Sequence, residues 1–255
     1  MRQRSDRRGK ADLHIHTGAG DGMASVPQLL EYIETQTDLD VVALTDHDDV
    51  QGALQARELL RKDHYRFEVV VGEEVSSLGG HLLALFIEEP VRPYQTLERT
   101  LEAIHRQNGL CVVPHPLSWL TTSVGERGFK KILVERASIP GFDGIELANG
   151  SIAGRLVEDR ARRLNRRFYH LAETGGSDAH FLPVIGSAYT VFDGRTAADL
   201  RRALEARSTR GRRDASKTMG SVPWSDIVGQ QIRSLVVLPL QRAGIPVQSR
   251  RGEKR

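Results

Sequence analysis

The sequence predicts an α/β fold in which parallel strands are wrapped by helices. Short β-branched apolar runs and amphipathic stretches follow one another from residue 11 to residue 207. This repeated order is typical of a parallel sheet, either closed as a barrel or left open. The chain has 255 residues, and single barrel domains of about 250 residues are common. Its 39% hydrophobic and 27% charged residues exclude wholesale disorder.

The predicted strands begin at residue 11. Residues 11–16 alternate polar and apolar side chains, as a strand does. Residues 39–45 form a β-branched apolar run that suits a strand buried on both faces. The remaining predicted strands are short apolar runs at 67–71, 80–87, 110–114, 144–147, 169–173 and 189–192.

The predicted helices lie between these strands. Helix 26–35 places Leu29, Leu30 and Ile33 at helical spacing, and it begins near Pro27, whose missing N–H is harmless in a first turn. Apolar residues at the same spacing predict further helices at 52–62, 96–107, 155–168 and around 200–204. Segment 117–139 is less regular and is a candidate lid or loop over a site.

The chain divides into one main domain and two extensions. Residues 1–10 are predicted to be a basic N-terminal extension, 11–207 the main domain, and 208–255 a basic C-terminal extension that is partly disordered. Within the latter, residues 224–240 are predicted to form one helix, broken at Pro239. The formal net charge of +3 comes largely from stretches 155–167, 201–213 and 250–255. Such charges are either solvated helix faces or an attraction for a phosphate-bearing or nucleic-acid substrate.

Cysteine content and hydropathy exclude several classes of protein. Cys111 is the only cysteine, which rules out an intramolecular disulfide and a cysteine zinc cluster. No stretch approaches the roughly 18 apolar residues of a membrane helix, and the N-terminus lacks the apolar segment of a secretory signal. We therefore predict a cytoplasmic protein that does not associate with membranes, and no obligate protein partner is inferred.

Histidines and carboxylates gather at the ends of the predicted strands. His14 and His16 are two residues apart on a strand, so both imidazoles project from one face. The carboxyl ends of parallel strands meet on one rim, so we expect side chains that follow different strands to lie close together. Imidazole and carboxylate ligands suit zinc, manganese and iron alike. The pattern predicts a multinuclear metal site.

Six short motifs carry these residues in a fixed order. They are Asp12-Leu-His-Ile-His16, Asp21-Gly22, Thr45-Asp-His-Asp48, Gly72-Glu-Glu74, Val113-Pro-His-Pro116 and Gly176-Ser-Asp-Ala-His180. This series resembles that of the PHP (polymerase and histidinol phosphatase) family over residues 11–207. The resemblance implies a distorted seven-stranded (β/α) barrel of the PHP type with two to three divalent ions (manganese, zinc or iron) at its rim. Stand-alone chains of this length resemble the family's small phosphoesterases and exonucleases.

The resemblance also implies which residues hold the ions. The first ion would be held by His14, His16, Glu74 and Asp178. The second would be held by Glu74, His81 and His115, with Glu74 bridging, and the third by Asp21, His47 and His180. All of these except His81 form the implied catalytic set, and His81 depends on a variable spacing after the glutamate. Thr17 and Gly20 stand where the family usually has serine.

Residues beside the implied ligands are predicted to support them. Asp12 and Asp46 are expected to orient imidazoles by accepting their free N–H, and Asp46 is also a candidate ligand. Glu146 and Asn149 lie at a strand end that either approaches the site or is structural.

Substrate phosphate is expected to meet Arg155, at a helix start, and Arg127, in the irregular segment. The predicted reaction is hydrolysis of a phosphoester in a nucleotide or a short oligonucleotide 5′ end by a metal-bridged hydroxide. One alternative is a histidinol-phosphate or other small-metabolite phosphatase. Another is a non-catalytic regulatory module that binds metal.

Overall fold

One mixed β-sheet organises the protein in the computed structural model, which describes residues 8–135, 141–217, 220, 222–238 and 240. Its strands follow the order β7-β6-β5-β4-β3-β2-β1-β8-β9. In chain order the strands are β1 Gly9–Ile15, β2 Val41–Leu44, β3 Glu68–Ser77, β4 Gly80–Leu85, β5 Leu110–Val113, β6 Gly144–Asn149, β7 Ala172–Gly176, β8 Ala188–Phe192 and β9 Arg210–Arg213.

The sheet curls until its ends approach each other. Beyond the end of β7, Ala179 N–H donates to the carbonyl of His14 at 3.3 Å, and His16 N–H donates to the carbonyl of Ala179 at 2.9 Å. Thr190 Oγ1 on β8 bonds both to the amide (2.9 Å) and to the carbonyl (3.0 Å) of Gly175 on β7. These contacts nearly close the sheet into a barrel, which confirms the predicted fold class.

Two strands, β4 and β8, distort the barrel because they run antiparallel to their neighbours. β1, β2 and β3 pair in parallel, and so do β5, β6 and β7. β4 runs antiparallel to both of its neighbours, and β8 runs antiparallel to β1 and β9. Antiparallel pairing with β4 extends β3 to Ser77, so Glu74 lies inside this strand. The apolar run 67–71 had predicted that the strand ends before Glu74.

Helices cover the sheet. In chain order they are α1 Val26–Gln36, α2 Gln51–Lys62, α3 Leu97–Arg106, α4 Glu126–Lys130, α5 Ile152–Arg155, α6 Glu158–Leu164, α7 Ala197–Glu205 and α8 Trp224–Ile232. α4, α6 and α8 continue into π-helical turns at Lys131–Glu135, Asn165–Tyr169 and Arg233–Val237, and a 3₁₀ turn spans Leu182–Val184. No helix in the described ranges combines the length and apolar character needed to cross a membrane.

Two apolar clusters bury the sheet on both faces. On β2, Val41 and Ala43 belong to one cluster, and Val42 and Leu44 belong to the other. All four are fully buried, which is the two-sided burial that the apolar run 39–45 predicts, because successive side chains of a strand point to opposite faces.

Several predicted boundaries differ from those of the structure. The predicted helix 155–168 is interrupted between α5 and α6, and the turn after α6 ends at His170, which has a left-handed backbone with φ of 52°. β7 consequently begins at 172 and not at 169. The irregular segment contains α4, and its residues 136–140 lie outside the described residues.

The C-terminal region contributes to the barrel. β9 pairs with β8, so the sheet continues past the predicted domain boundary at residue 207. Arg210-Gly-Arg-Arg213 carries no apolar alternation, and for that reason the pattern did not predict a strand there. α8 lies within the predicted helix 224–240. The predicted break at Pro239, the N-terminal residues 1–7 and the tail 241–255 lie outside the described residues.

Candidate metal centre

The structure brings all nine implied metal ligands together at one rim of the barrel. They come from the ends of strands that are far apart in sequence. β1 and the turn after it supply His14, His16 and Asp21, and the loops after β2, β5 and β7 supply His47, His115, Asp178 and His180, while β3 and β4 supply Glu74 and His81. Most of these side chains are buried or nearly so.

Glu74 lies at the centre of the cluster. Its carboxylate is 1% exposed, and each oxygen faces a different set of imidazoles. Oε1 lies 2.9 Å from His81 Nδ1 and 3.0 Å from His115 Nε2. Oε2 lies 3.1 Å from His14 Nε2, 3.3 Å from His47 Nδ1 and 3.4 Å from His16 Nε2. Burial would raise the pKa of Glu74, but the surrounding imidazoles hold it well below its usual value. One carboxylate is thus shared between two sets of nitrogen donors.

Two aspartates extend the cluster on either side of His16. Asp178 Oδ1 lies 3.5 Å from Nε2 of both His14 and His16. Asp21 Oδ1 lies 3.4 Å from His16 Nδ1, and its Oδ2 lies 3.1 Å from His180 Nε2. Burial opposes the charged form of His180, but the Asp21 carboxylate raises its pKa to about 9. Two imidazoles, His16 and His180, stack with ring centres 4.1 Å apart.

The donor atoms form overlapping groups of the size that a metal ion needs. Within each group the candidate ligand atoms all lie within 4.8 Å of one another. The groups are His14–His16–Asp178, His14–Glu74–His115, His47–Glu74–His81 and His16–Asp21–His47–His180. Glu74 is common to two groups, as its implied bridging position requires. His14, His16 and His47 also belong to two groups each, whereas the resemblance assigned each of them to a single ion.

Buried atoms without partners indicate that the cluster is built for cations. Both ring nitrogens of His16 and Oδ1 of Asp21 are buried and make no hydrogen bond within the described residues. Leaving such groups unpaired costs about 1–3 kcal/mol each. A divalent ion satisfies lone pairs of imidazole and carboxylate together. The donor set therefore fits divalent metal ions.

Glu146 on β6 orients two of the histidines. Its Oε1 lies 3.2 Å from His14 Nδ1, and its Oε2 accepts hydrogen bonds from the His115 backbone N–H at 2.8 Å and from Asn149 Nδ2 at 2.7 Å. His115 Nδ1 in turn lies 2.8 Å from Ser123 Oγ. The sequence left open whether the end of β6 approaches the site or is structural. The structure places it beside the site.

Asp12 and Asp46 hold backbone, contrary to the prediction that they orient imidazoles. Asp12 accepts hydrogen bonds from the amides of Ser177 and Gly186, both at 2.8 Å. Asp46 accepts from Thr17 N and Thr17 Oγ1, both at 2.6 Å. Burial raises the pKa of each carboxyl to about 6. These aspartates fix the loops that carry the implied ligands.

A cavity of about 320 Å³ opens beside the cluster. α8 forms one of its walls. Two residues of the C-terminal region contact the candidate ligand Asp21 or the loop that carries it. Gln230 Nε2 donates to Asp21 Oδ2 at 3.2 Å, and Arg233 donates to the carbonyls of Gly18 at 2.7 Å and Gly20 at 2.8 Å. The sequence analysis missed both, because no local pattern joins residues about 210 positions apart.

The two predicted phosphate ligands lie elsewhere. Arg155, the last residue of α5, is exposed and does not line the cavity. Arg127 on α4 lines a separate cavity together with Lys131. Neither arginine is brought to the metal cluster.

The fold and the rim define a class of barrel proteins that gather histidines and carboxylates for metal binding. A model of the PHP-associated family matches residues 158–209. Among similar proteins, MJ1587 of Methanocaldococcus jannaschii is 31% identical over 150 residues, which are 55% of this chain and 81% of that protein. MJ0417 of the same organism is 27% identical over 184 residues, 72% of this chain and 70% of its own length. Both carry the description uncharacterized protein. The chain belongs to the PHP family.

Solved structures share the fold at low sequence identity. PsfC from Pseudomonas syringae superposes with a TM-score of 0.64 at 17% identity over 88% of this chain and 98% of its own. A Bacteroides vulgatus two-domain protein containing a predicted PHP-like metal-dependent phosphoesterase superposes with a TM-score of 0.63 at 20% identity, over 81% of this chain and 65% of that one. The lesion-specific endonuclease PfuEndoQ from Pyrococcus furiosus gives 0.57 at 17% identity, over 80% and 58%. These likenesses support the barrel fold.

Proposed function

We propose that the protein hydrolyses phosphoester bonds with divalent metal ions held at the rim of the barrel. The observation that carries this proposal is the shared Glu74 carboxylate, which faces two sets of imidazoles beside an open cavity. The fully buried His16, whose nitrogens have no hydrogen-bond partner among the described residues, adds to it. Fold neighbours described as metal-dependent phosphoesterases support the same chemistry.

The proposed ligands are the nine residues that resemble the family's pattern. Divalent ions held there would lower the pKa of water toward neutrality and neutralise the charge of a phosphate. The surrounding residues prepare the site before substrate arrives. Glu146 would hold the proton of a metal-bound His14 on Nδ1, which leaves Nε2 as the ligand atom. Asp46 and Asp12 lock the loops after β1 and β7, which sets the positions of Asp21 and Asp178.

The proposed catalytic unit extends from β1 to α8. β9 carries Arg213, whose guanidinium donates to the carbonyl of Asn149 at 3.0 Å, next to the Glu146 network. Gln230 on α8 contacts Asp21 directly. A unit that ended at residue 207 would lose both contacts.

Nucleotides and oligonucleotide 5′ ends are the substrates that the sequence predicts, and small metabolites such as histidinol phosphate are the alternative. The endonuclease among the fold neighbours favours nucleic acid. Two arginines of the basic stretches are, however, paired with acidic side chains. Arg201 pairs with Glu205 at 2.9 Å, and Arg213 pairs with Glu158 at 2.5 Å. This engagement favours a small phosphorylated substrate over a polyanion.

Turnover of generic chromogenic esters tests the proposal. Purified protein loaded with manganese, zinc or iron is assayed with p-nitrophenyl phosphate, bis-p-nitrophenyl phosphate and a 5′-phosphorylated oligonucleotide. We expect turnover that a chelator abolishes and that Glu74→Gln lowers at least a hundredfold. Glu173→Gln, a matched change on β7 where the carboxylate pairs with Arg162, should retain activity. Metal binding without turnover of any of the three substrates would contradict hydrolysis and favour a regulatory metal-binding module.

A further inference from the structure

α8 and the π-helical turn that continues it leave large apolar side chains exposed and turn several polar side chains toward the cavity. On the exposed side, Trp224 is 77% exposed and Ile232 53%, and Leu235 on the turn is 72% exposed. The polar Ser225, Asp226 and Gln231 are exposed as well. The side chains that line the cavity recur at helical spacing at Ile227, Gln230 and Gln231 on α8 and at Ser234 on the turn, and three of these four are polar. Burial of apolar surface alone does not explain this orientation, because it would turn Trp224, Ile232 and Leu235 inward. The inward polar face lines the cavity beside the metal cluster.

Hydrogen bonds hold α8 in this orientation. Gln230 donates to Asp21, and Arg233 donates to the carbonyls of Gly18 and Gly20 in the same loop. Gln231 Nε2 donates to Gln230 Oε1 at 2.8 Å. The helix is therefore attached to the loop that carries a proposed ligand, and its inward side chains stand at a set distance from the metal cluster.

The cavity wall away from the metal cluster is electrically neutral. α8 contributes two amides and the apolar Ile227, the turn after it contributes the hydroxyl of Ser234, and the facing segments contribute Ser151, Ile152, Phe181 and Val184. Among the residues that the structure describes, the charged or ionisable side chains that line this cavity all belong to the metal cluster. Arg233, on the turn that continues α8, donates its guanidinium hydrogen bonds to loop carbonyls.

We infer that α8 selects the leaving group, and that the substrate is the phosphomonoester of an uncharged, partly apolar alcohol. This inference rests on the proposed function. In the reaction, water adds to phosphorus, the P–O bond to the alcohol breaks, and the alkoxide takes up a proton and departs as the alcohol, leaving inorganic phosphate. Amides and hydroxyls on α8 hydrogen-bond the polar groups of the alcohol, and Ile227, Phe181 and Val184 cover its apolar face.

Charge and size separate this class from the other candidates. A second phosphate or a carboxylate on the leaving group would lie against a neutral wall, and burying an unpaired anion is costly. A volume of about 320 Å³ lies at the small end of ligand cavities, which span roughly 300–1,000 Å³. Both observations favour a small monoester over a bisphosphate or an oligonucleotide.

Matched aryl phosphates test the selection. Manganese-loaded protein is assayed with 4-carbamoylphenyl, 4-carboxyphenyl and 4-(aminomethyl)phenyl phosphate, which are similar in size and differ in charge, and with a nucleoside 5′-monophosphate and its 3′,5′-bisphosphate. In each set we expect kcat/KM to be at least tenfold higher for the substrate whose leaving group is uncharged. These substrates are the 4-carbamoylphenyl ester and the nucleoside 5′-monophosphate. Equal kcat/KM across charges would overturn the inference and leave hydrolysis intact.

Two variants assign the selection to α8. Gln231→Arg places a cation on the inward face, and we expect it to raise kcat/KM for the anionic ester about tenfold relative to the neutral one. Val228→Arg places the same cation on the outward face, where Val228 is 44% exposed, and should leave the preference unchanged. A preference that is the same in Gln231→Arg and in the wild type would exclude α8 as the selecting element.

Binding of the product alcohols gives a readout that does not depend on turnover. Calorimetric titration with 4-hydroxybenzamide and 4-hydroxybenzoate should show at least tenfold tighter binding of the amide, and Gln231→Arg should reduce that ratio. If no ester is hydrolysed but this binding preference is present, the proposed hydrolysis fails and the selectivity of α8 stands. Equal binding of the two alcohols overturns the selectivity.

Discussion

Glu146 meets His14 Nδ1 within hydrogen-bond distance, and its substitution tests how the cluster is prepared for metal. Its carboxylate meets His14 Nδ1 at 3.2 Å on one oxygen, and the His115 amide (2.8 Å) and Asn149 Nδ2 (2.7 Å) on the other. Three donors therefore converge on two acceptor oxygens. A proton on Nδ1 of His14 satisfies Glu146, so Nε2, which lies 3.1 Å from Glu74 Oε2 and 3.5 Å from Asp178 Oδ1, is the nitrogen that would bind a metal ion.

Glu146→Gln keeps the size of the side chain but replaces one of its two acceptor oxygens with an N–H donor. Two N–H groups converge on the Oε2 position, so the amide oxygen must stay there. The amide nitrogen then points its N–H at His14 Nδ1, which becomes an acceptor. The ring proton moves to Nε2, and Nε2 can no longer bind a cation. Loss of such a partner typically weakens metal affinity about 10- to 100-fold, or roughly 1.4–2.7 kcal/mol.

Competition titration with a chelator of known affinity measures the effect. Metal-free Glu146→Gln should bind zinc or manganese roughly 10- to 100-fold more weakly than the wild type. Glu173→Gln on β7 removes a carboxylate that pairs with Arg162 at 3.2 Å and should bind metal as the wild type does. If Glu146→Gln binds metal as tightly as the wild type, the reasoning about the His14 tautomer is refuted.

Three further predictions concern stability. Burial raises the pKa of Glu73 from 4.5 to about 8, so the protonated form is favoured on folding and its stabilising effect is lost as pH rises from about 4.5 to 8. In the wild type this loss of unfolding free energy is on the order of 4 kcal/mol, and urea unfolding of Glu73→Gln should not show it. Parallel pH profiles of unfolding free energy for the wild type and the variant would contradict the prediction. Removing metal with a chelator should lower the melting temperature, since a ligand at 100 times its Kd stabilises by about 2.7 kcal/mol; an unchanged melting curve would argue against a metal centre. Phe192→Ala, at a 1% exposed position, should cost about 3–5 kcal/mol of unfolding free energy in urea, and a cost below about 1 kcal/mol would mean that Phe192 is not a core residue.

Elements with a strong local period were predictable. β2 is a β-branched run, and α1 has apolar residues at helical spacing. Both ends of each element lie within two residues of the predicted positions. β9 was not predictable, because Arg210-Gly-Arg-Arg213 forms a strand only by pairing with β8. The start of β7 was misplaced by three residues, because the turn after α6 continues to His170.

The histidines and acids of the rim could be found in the sequence because strand periodicity and motif order are local properties. His14 and His16 share a face through the two-residue period of a strand, and the family motif distinguishes Glu74 from Glu73. The structure agrees on that distinction: Glu74 meets the imidazoles, whereas Glu73 accepts the amide of Val91 at 2.8 Å. Neighbouring residues of a strand point to opposite faces, so only one of the pair can reach the cluster.

The supporting contacts were decided by the tertiary structure alone. Glu146 lies 132 positions from His14, and Gln230 lies 209 positions from Asp21. Such contacts arise when the barrel nearly closes and brings strand ends together, and no local period encodes them. The same closure leaves Arg155 and Arg127 away from the cluster, although a helix start and a basic segment had favoured them. Local patterns and motif order therefore identify the candidate metal ligands, whereas the near-closure of the barrel determines which residues orient them and line the cavity.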